Sequence, residues 1–434
     1  MNGLLPLIRV RGKGDGYVAA AARIRSRARD AAAVEARAQA IVDRVRREGD
    51  GALFDLTLEL DGADVSTGGL RVGAEEVARA LEAVDPGLLR AMEFSLGRIR
   101  KTQGQLLRRL SYSFVSDGFV TRTVARGLPS VGCYVPGGKA PLASTVLMTA
   151  GVARLAGVKR VVVCTPPGRN GRIDDAILAA AGLCGVDEVY RVGGAQSIAA
   201  LAYGTESVPR VSKIVGPGGL YASVAKRLVS ADVQIDFFAG PTEIVVVGDR
   251  TTDPETAAWD LIGQAEHGPD TLCGLVTWDA SLARKVRDSA ARIARDVERG
   301  EYVRGALARG FALVCPNRGA AIEMVNALAP EHVELLVEDP EGFAARVDSA
   351  GLVLSGRYAP CAASDYCVGT DHVIPTEGHA AARSSLSVLD FVKVGWVVSG
   401  TRGGLRGVLP SLKELATAEG LPNHYRSAQS RFSR

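Results

Sequence analysis

Two short stretches carry side chains able to do acid–base or metal chemistry. The run D-L-I-G-Q-A-E-H-G-P-D (260–270) closes an apolar helical pattern with a carboxamide, Gln264, and an imidazole, His267, three residues apart. On a helix that spacing puts both side chains on one face, with Asp260 one turn earlier. The pair reads either as a solvated helix end or as two ligands for one ion or substrate. The run A-P-E-H-V (329–333) sets Glu331 beside His332 on a loop just before a strand, after Pro330 stops a helix. An adjacent carboxylate and imidazole suit general acid–base work, and a solvated loop pair is the plainer alternative.

The chain has only five histidines, at 267, 332, 372, 379 and 424, so the place of each is informative. S-D-Y-C-V-G-T-D-H-V-I-P-T (364–376) gives Asp365 and His372 in a loop rich in turn formers. A-E-G-L-P-N-H (418–424) gives Glu419 and His424 beyond a helix. The candidate ligands Gln264, His267, Asp365, His372 and His424 offer only nitrogen and oxygen. Such a set suits a borderline divalent ion such as zinc with an open position, not a closed thiolate site. Gln is an unusual zinc ligand.

The elements that must position these groups alternate. Residues 17–48 and 73–110 read as helical. From Arg122 short β-branched runs alternate with Ala-rich helices, with strands expected at 158–164, 186–192, 211–215 and up to 249. Helices are expected at 144–156, 173–183, 195–203 and 219–230. The helix of 253–267 has Asp253 as its N-cap and Pro254 in first position. The pattern then resumes with strands at 272–278, 311–315, 333–337 and 351–355, separated by helices near 280–299 and 317–328. Alternation of this kind predicts right-handed βαβ units and mostly parallel sheets, here two in succession. Residues 376–434 lose the β pattern and read as turns plus a helix around 408–419.

Neither G-x-G-x-x-G nor a P-loop stands at a strand-to-helix junction. Glycine-rich turns occur instead at 134–142, 192–197, 214–219 and 238–243. Loops after strand carboxyl ends are where ligands bind in open α/β sheets, and four such turns point to a nucleotide-sized ligand.

Composition sets limits. A chain of 434 residues with 47% hydrophobic and 23% charged residues is an ordinary globular protein of more than one domain. A balance of 52 basic against 48 acidic residues, with 5% aromatics, argues against nucleic acid as a partner. No apolar run approaches the ~18 residues of a membrane span. The Arg-rich start could pass for a transit peptide, but Asp15 and Asp30 count against it. Seven scattered cysteines without a C-x-x-C pair suggest reduced thiols in a cytoplasmic protein. Cys361 and Cys367 fall inside the candidate segments and read as small packing residues.

The ordered set Y-V-P-G-G-K-A-P-L-A-S-T-V-L-M, V-G-G-A-Q-S-I-A-A-L-A-Y-G-T-E-S-V-P, A-G-P-T-E, Q-A-E-H-G-P-D, P-E-H, S-D-Y-C-V-G-T-D-H-V-I-P-T and A-E-G-L-P-N-H closely resembles histidinol dehydrogenase. The likeness runs from about residue 20 to beyond 424. It implies oxidation of L-histidinol to L-histidine through the aldehyde, with two NAD in sequence and one zinc, in a homodimer whose sites borrow the partner's C-terminal segment. It implies zinc on Gln264, His267, Asp365 and His424, the last from the other subunit, and Glu331 and His332 as the acid–base pair. Thr242, His372 and Glu419 match substrate-contacting positions beside the ligands and His332. Tyr134 and Gln196 match positions that hold NAD.

The fold implied is two Rossmann-like domains of the aldehyde-dehydrogenase-like kind, with small N- and C-terminal dimerisation segments. Expected bounds are 1–24 for the N-terminal segment, 25–133 with 243–381 for the first domain, 134–242 for the NAD side, and 382–434 for the C-terminal segment. Gly219 stands where the family usually has Asn, which removes one side-chain contact to the cofactor. Thr242 stands where Ser is common, and His379 reads as a surface histidine. The rival expectation is a zinc/NAD dehydrogenase of the same fold acting on another polar alcohol, such as a sulfonated diol.

Overall fold

The computed structural model describes residues 4–9, 15–25, 31–137, 141–238 and 240–432. β1 (Leu7–Arg9) opens the chain; a helical stretch separates it from β2 (Ser113–Ser116) and β3 (Phe119–Gly127). β4 (Ser130–Tyr134), β5 (Arg160–Thr165), β6 (Glu188–Arg191), β7 (Lys213–Val215) and β8 (Gln234–Ile235) then form a parallel sheet in the order β6-β5-β4-β7-β8. β9 (Glu243–Gly248), β10 (Leu272–Thr277), β11 (Phe311–Val314), β12 (His332–Leu336) and β13 (Leu352–Ser355) make a second parallel sheet, ordered β1-β11-β10-β9-β12-β13. β14 (Val392–Gly400) returns to pair antiparallel with β3, giving a three-stranded ribbon β14-β3-β2.

The two parallel sheets follow from strands such as E-I-V-V-V-G at β9, buried at every position, as a strand covered by helices on both faces must be. Separate apolar clusters fill the two faces of each sheet. The expected α/β architecture is therefore present.

Several boundaries differ. The helices of 31–108, expected to belong with 243–381, pack on the five-stranded sheet: Ile41, Leu53, Leu56, Leu96 and Ile99 sit in its clusters. β4 joins that sheet as well, although most of it lies before the expected boundary at 134. The N-terminal segment is not free-standing. β1 adds to the edge of the six-stranded sheet, and Tyr17, Ala21 and Ile24 of helix Asp15–Arg25 enter its core. The helix expected over 280–299 ends at Ile293, and a separate helix, Gly300–Arg309, follows the expected range.

The expectation that 376–434 loses the β pattern is overturned by β14. Its apolar residues do not mark a core, because Val394, Trp396 and Val398 remain exposed. Pairing with β3 along all nine residues holds it instead. Residues 26–30 of the expected 17–48 helix lie outside the described residues, as do residues 138–140 and 239 of two glycine-rich turns.

Candidate active site

In the five-stranded sheet β4 is followed to one side by β5, while β7 lies on its other side. The strand order thus reverses between β4 and β7, the point where an open α/β sheet has its crevice. A cleft of about 1070 Å³ opens there. Tyr134, Pro136 and Gly137 after β4 and Pro217, Gly218 and Gly219 after β7 line one side of it. The other side comes from the opposite ends of the second sheet's strands: Thr242 before β9, Thr271 before β10, and Glu331 with His332 at the start of β12. Gln264, His267, Asp365 and His372 also line it. Residues from six distant segments thus meet between the two sheets.

The β7 turn depends on Gly216. Its φ is +118°, and a Cβ there would lie 2.1 Å from the Tyr134 carbonyl oxygen. Lys226, buried and ion-paired with Asp236, donates to the Gly216 carbonyl at 3.0 Å, and Asp236 accepts the Gly216 N–H at 2.8 Å. Gly216→Ala is expected to destabilise the protein by about 1–3 kcal/mol, the scale of a strained backbone position; thermal unfolding checks this.

The acid–base pair is buried and held from several directions. Glu331 Oε2 accepts from the Thr242 hydroxyl at 2.6 Å and from the Glu243 N–H at 2.6 Å. His332 Nδ1 lies 3.0 Å from the Glu243 carbonyl and 3.5 Å from Glu331 Oε2. Facing two acceptors, Nδ1 carries the proton, so the lone pair of the neutral ring sits on Nε2. Nε2 is buried without a hydrogen-bond partner among the described residues, 3.8 Å from Asp365 Oδ1. Burial would lower the His332 pKa, but the Glu331 charge outweighs it and holds the imidazole well above its ordinary value.

Glu243 is a residue that the sequence did not single out. Its carboxyl accepts the N–H groups of Glu331 at 3.2 Å and Glu377 at 2.9 Å, tying both loops to β9. Burial first, then the nearby Glu331 and Glu377, push its pKa up to about 8. A Glu–His dipeptide advertises itself in a sequence; an isolated Glu at a strand start does not.

Helix Pro254–Ala265 begins at the Asp253 cap, whose side chain accepts the Thr256 N–H at 3.1 Å. It ends before His267, so Gln264 is on the helix and His267 in the turn after it. Both still reach the cleft, Gln264 buried and His267 exposed. Gln264 Nε2 donates to Thr242 Oγ1 at 2.6 Å, which turns Oε1 towards Cys361 Sγ at 3.5 Å. His372 Nδ1 donates to the Asp365 carbonyl at 2.9 Å, and Nε2 lies 3.3 Å from Thr145 Oγ1. Burial lowers its pKa, so it is a neutral hydrogen-bonding group.

Not every candidate joins the cleft. Glu419 and His424 lie at and beyond the end of helix Arg402–Ala418, exposed, and do not line it. Gln196 is buried on helix Gly194–Tyr203 behind the Tyr134 hydroxyl, which accepts the Gly194 N–H at 3.4 Å. Its Oε1 is buried without a partner, and Gln196 is not part of the cleft wall. Gly219 is exposed on the wall, with open space where a Cβ would stand. His379 is exposed and rests against the Phe238 ring at 5.8 Å.

The expectation that Cys361 and Cys367 are packing residues holds for Cys361, which sits in an apolar cluster of the second sheet, and fails for Cys367. Cys367 is exposed. Cys361 is buried, yet its sulfur faces polar atoms, Gln264 Oε1 at 3.5 Å and Asp365 Oδ2 at 4.0 Å. Its i,i+4 spacing from Asp365 was the available signal.

A family model described as histidinol dehydrogenase matches residues 24–432. The chain belongs to the histidinol dehydrogenase family. It is 43% identical to histidinol dehydrogenase of Moorella thermoacetica, covering 92% of this chain and 94% of that one. It is 40% identical to the Methanothermobacter thermautotrophicus protein of the same name, over 90% and 92%. Among solved structures, histidinol dehydrogenase from Elizabethkingia anophelis superposes with a TM-score of 0.91 at 30% identity, over 99% of this chain and 98% of that one. As a histidinol dehydrogenase family member the chain is an oxidoreductase. No helix among the described residues is long and apolar enough to cross a membrane.

Proposed function

We propose that the chain oxidises L-histidinol to L-histidine through L-histidinaldehyde, the last step of histidine biosynthesis, using two NAD in sequence and one zinc ion. The observation that carries this reading is the cleft itself. A buried Glu–His pair and a nitrogen/oxygen donor set meet there, opposite the nucleotide crevice of a parallel sheet. Gln264, His267 and Asp365 would hold zinc, with His424 supplied by a second subunit. The fit rests on their donor chemistry and on the direction of Gln264 Oε1 and the buried Asp365 carboxylate. Tyr134 and the Gly219 turn would face NAD, with the unpartnered Gln196 Oε1 one layer behind. When bound, zinc supplies a template for the substrate's imidazole and amino nitrogens, and each NAD supplies a hydride acceptor.

The chain's own residues then handle protons and water. His332 Nε2 takes the proton of the alcohol as hydride leaves, giving the aldehyde. Glu331 positions and deprotonates the water that adds to the aldehyde carbon. The protonated His332 returns its proton to the carbonyl oxygen as the hydrate forms, and the neutral ring then takes a proton from the hydrate as the second hydride leaves, giving the acid. Hydration of the aldehyde removes any need for a nucleophilic cysteine. Thr242, His372 and Glu419 would contact the substrate.

The dimer reading is supported by the unpaired apolar surface of β14, by exposed Leu415, and by the position of Glu419 and His424 away from their own cleft. Six buried cysteines and one exposed, all free, accord with a reducing cytoplasm. Purified protein supplied with zinc is expected to form two NADH per L-histidinol consumed, read by absorbance and amino-acid analysis. NADH from a sulfonated diol and none from histidinol would transfer the assignment to the rival substrate.

A further inference from the structure

We propose that Cys361 joins His332, Asp365 and Gln264 in a second position for a soft divalent cation, complete within one chain. Cys361 begins helix Cys361–Tyr366, and its N–H donates to the buried Glu334 carboxylate at 3.2 Å, which fixes the start of the helix against β12. The i,i+4 spacing then brings Sγ and the Asp365 carboxylate to one face. Sγ lies 3.5 Å from Gln264 Oε1 and 4.0 Å from Asp365 Oδ2. His332 Nε2 lies 3.8 Å from Asp365 Oδ1, and the ligand atoms of His332, Cys361 and Asp365 all fall within 4.8 Å of one another. Tetrahedral zinc, with bonds of about 2.0–2.3 Å, holds its ligand atoms roughly 3.3–3.6 Å apart. A contraction of at most about 1.2 Å separates the two geometries.

A second observation points the same way. His332 Nε2 is buried with no partner among the described residues, and its Nδ1 is pinned by the Glu243 carbonyl. An imidazole oriented through one nitrogen with the other free is the usual arrangement around a metal-binding histidine. The four residues are between 2% and 9% exposed, so an ion there would be shielded from water. The thiol proton leaves to solvent on binding. A thiolate selects zinc, cobalt or cadmium over manganese or magnesium. This position shares Gln264 and Asp365 with the ion proposed above, but uses neither His267 nor any residue of another chain. Occupying it also takes up the one free nitrogen of His332, so it is a position for a resting or inhibited state.

The test is a titration of the reduced full-length protein with Co²⁺ alone under anaerobic conditions. The wild type, His424→Ala and Cys361→Ser are compared, with folding checked by circular dichroism. The wild type and His424→Ala are expected to show a sulfur-to-cobalt charge-transfer absorption, and Cys361→Ser to lose it. Cobalt bound to His424→Ala without that absorption, no cobalt bound at all, or a band that persists in Cys361→Ser would each overturn the proposal. The histidinol assay is read separately, so failure of the proposed reaction leaves this outcome distinguishable.

Discussion

His332→Asn is expected to cut turnover by about 10²-fold or more, the range for losing a general base, with the fold and subunit assembly unchanged. Asparagine keeps a donor for the Glu243 carbonyl that His332 Nδ1 now meets at 3.0 Å, so the start of β12 stays in place. What it loses is Nε2, the buried nitrogen whose lone pair faces the cleft. Steady-state kinetics separates the possibilities. A fall in kcat with little change in KM assigns His332 to chemistry, whereas undiminished turnover removes it from that role.

The same residue sets a pH dependence whose sign can be worked out. The Glu331 charge overrides burial and raises the His332 pKa above its ordinary value, so the ring holds its proton more tightly than free histidine does. The base must be neutral to accept a proton, so kcat/KM is expected to rise with pH as the ring is deprotonated. Removing the charge in Glu331→Gln lowers the pKa, and the rising limb of whatever activity remains should move to lower pH. A limb that stays fixed would assign the titration to another group.

Much of this site was legible because its residue types are conspicuous. A Glu–His dipeptide after Pro330, and a Gln–x–x–His run ending at Gly-Pro, stand out in any sequence. The parallel sheets were legible too, since β-branched runs buried on both faces, such as β9, carry a continuous apolar signal. The rest was hidden for physical reasons. β14 is held by backbone pairing to β3 with its apolar side chains left exposed, so no core periodicity announces it. The helices of 31–108 were assigned to the wrong sheet because an amphipathic helix records that it has a buried face, not which surface covers it. Glu243 and Cys361 act through neighbours brought near only by the fold, 88 residues away for Glu331 and 97 for Gln264. The ligand roles proposed for His424 and Gln264 rest on family resemblance. Spacing alone left both open.

That last point makes the shared-site experiment decisive. His424 sits on helix Pro422–Gln429, exposed and away from its own cleft, so a ligand role requires a second subunit. His424→Ala and His332→Asn are each expected to be nearly inactive alone. In a mixed dimer, one site combines the intact His332 of the first variant with the intact His424 of the second, while the other site carries both defects. Random mixing of equal amounts makes half the dimers mixed, each with one working site, so about a quarter of wild-type activity should return. If each site used its own chain's His424, every site in every dimer would carry one defect and no activity would return. Mixed dimers isolated by two affinity tags and still inactive would therefore retire the shared site. Recovery on subunit exchange would establish that His424 serves the site of the other subunit, since no single chain in the mixture holds a complete set.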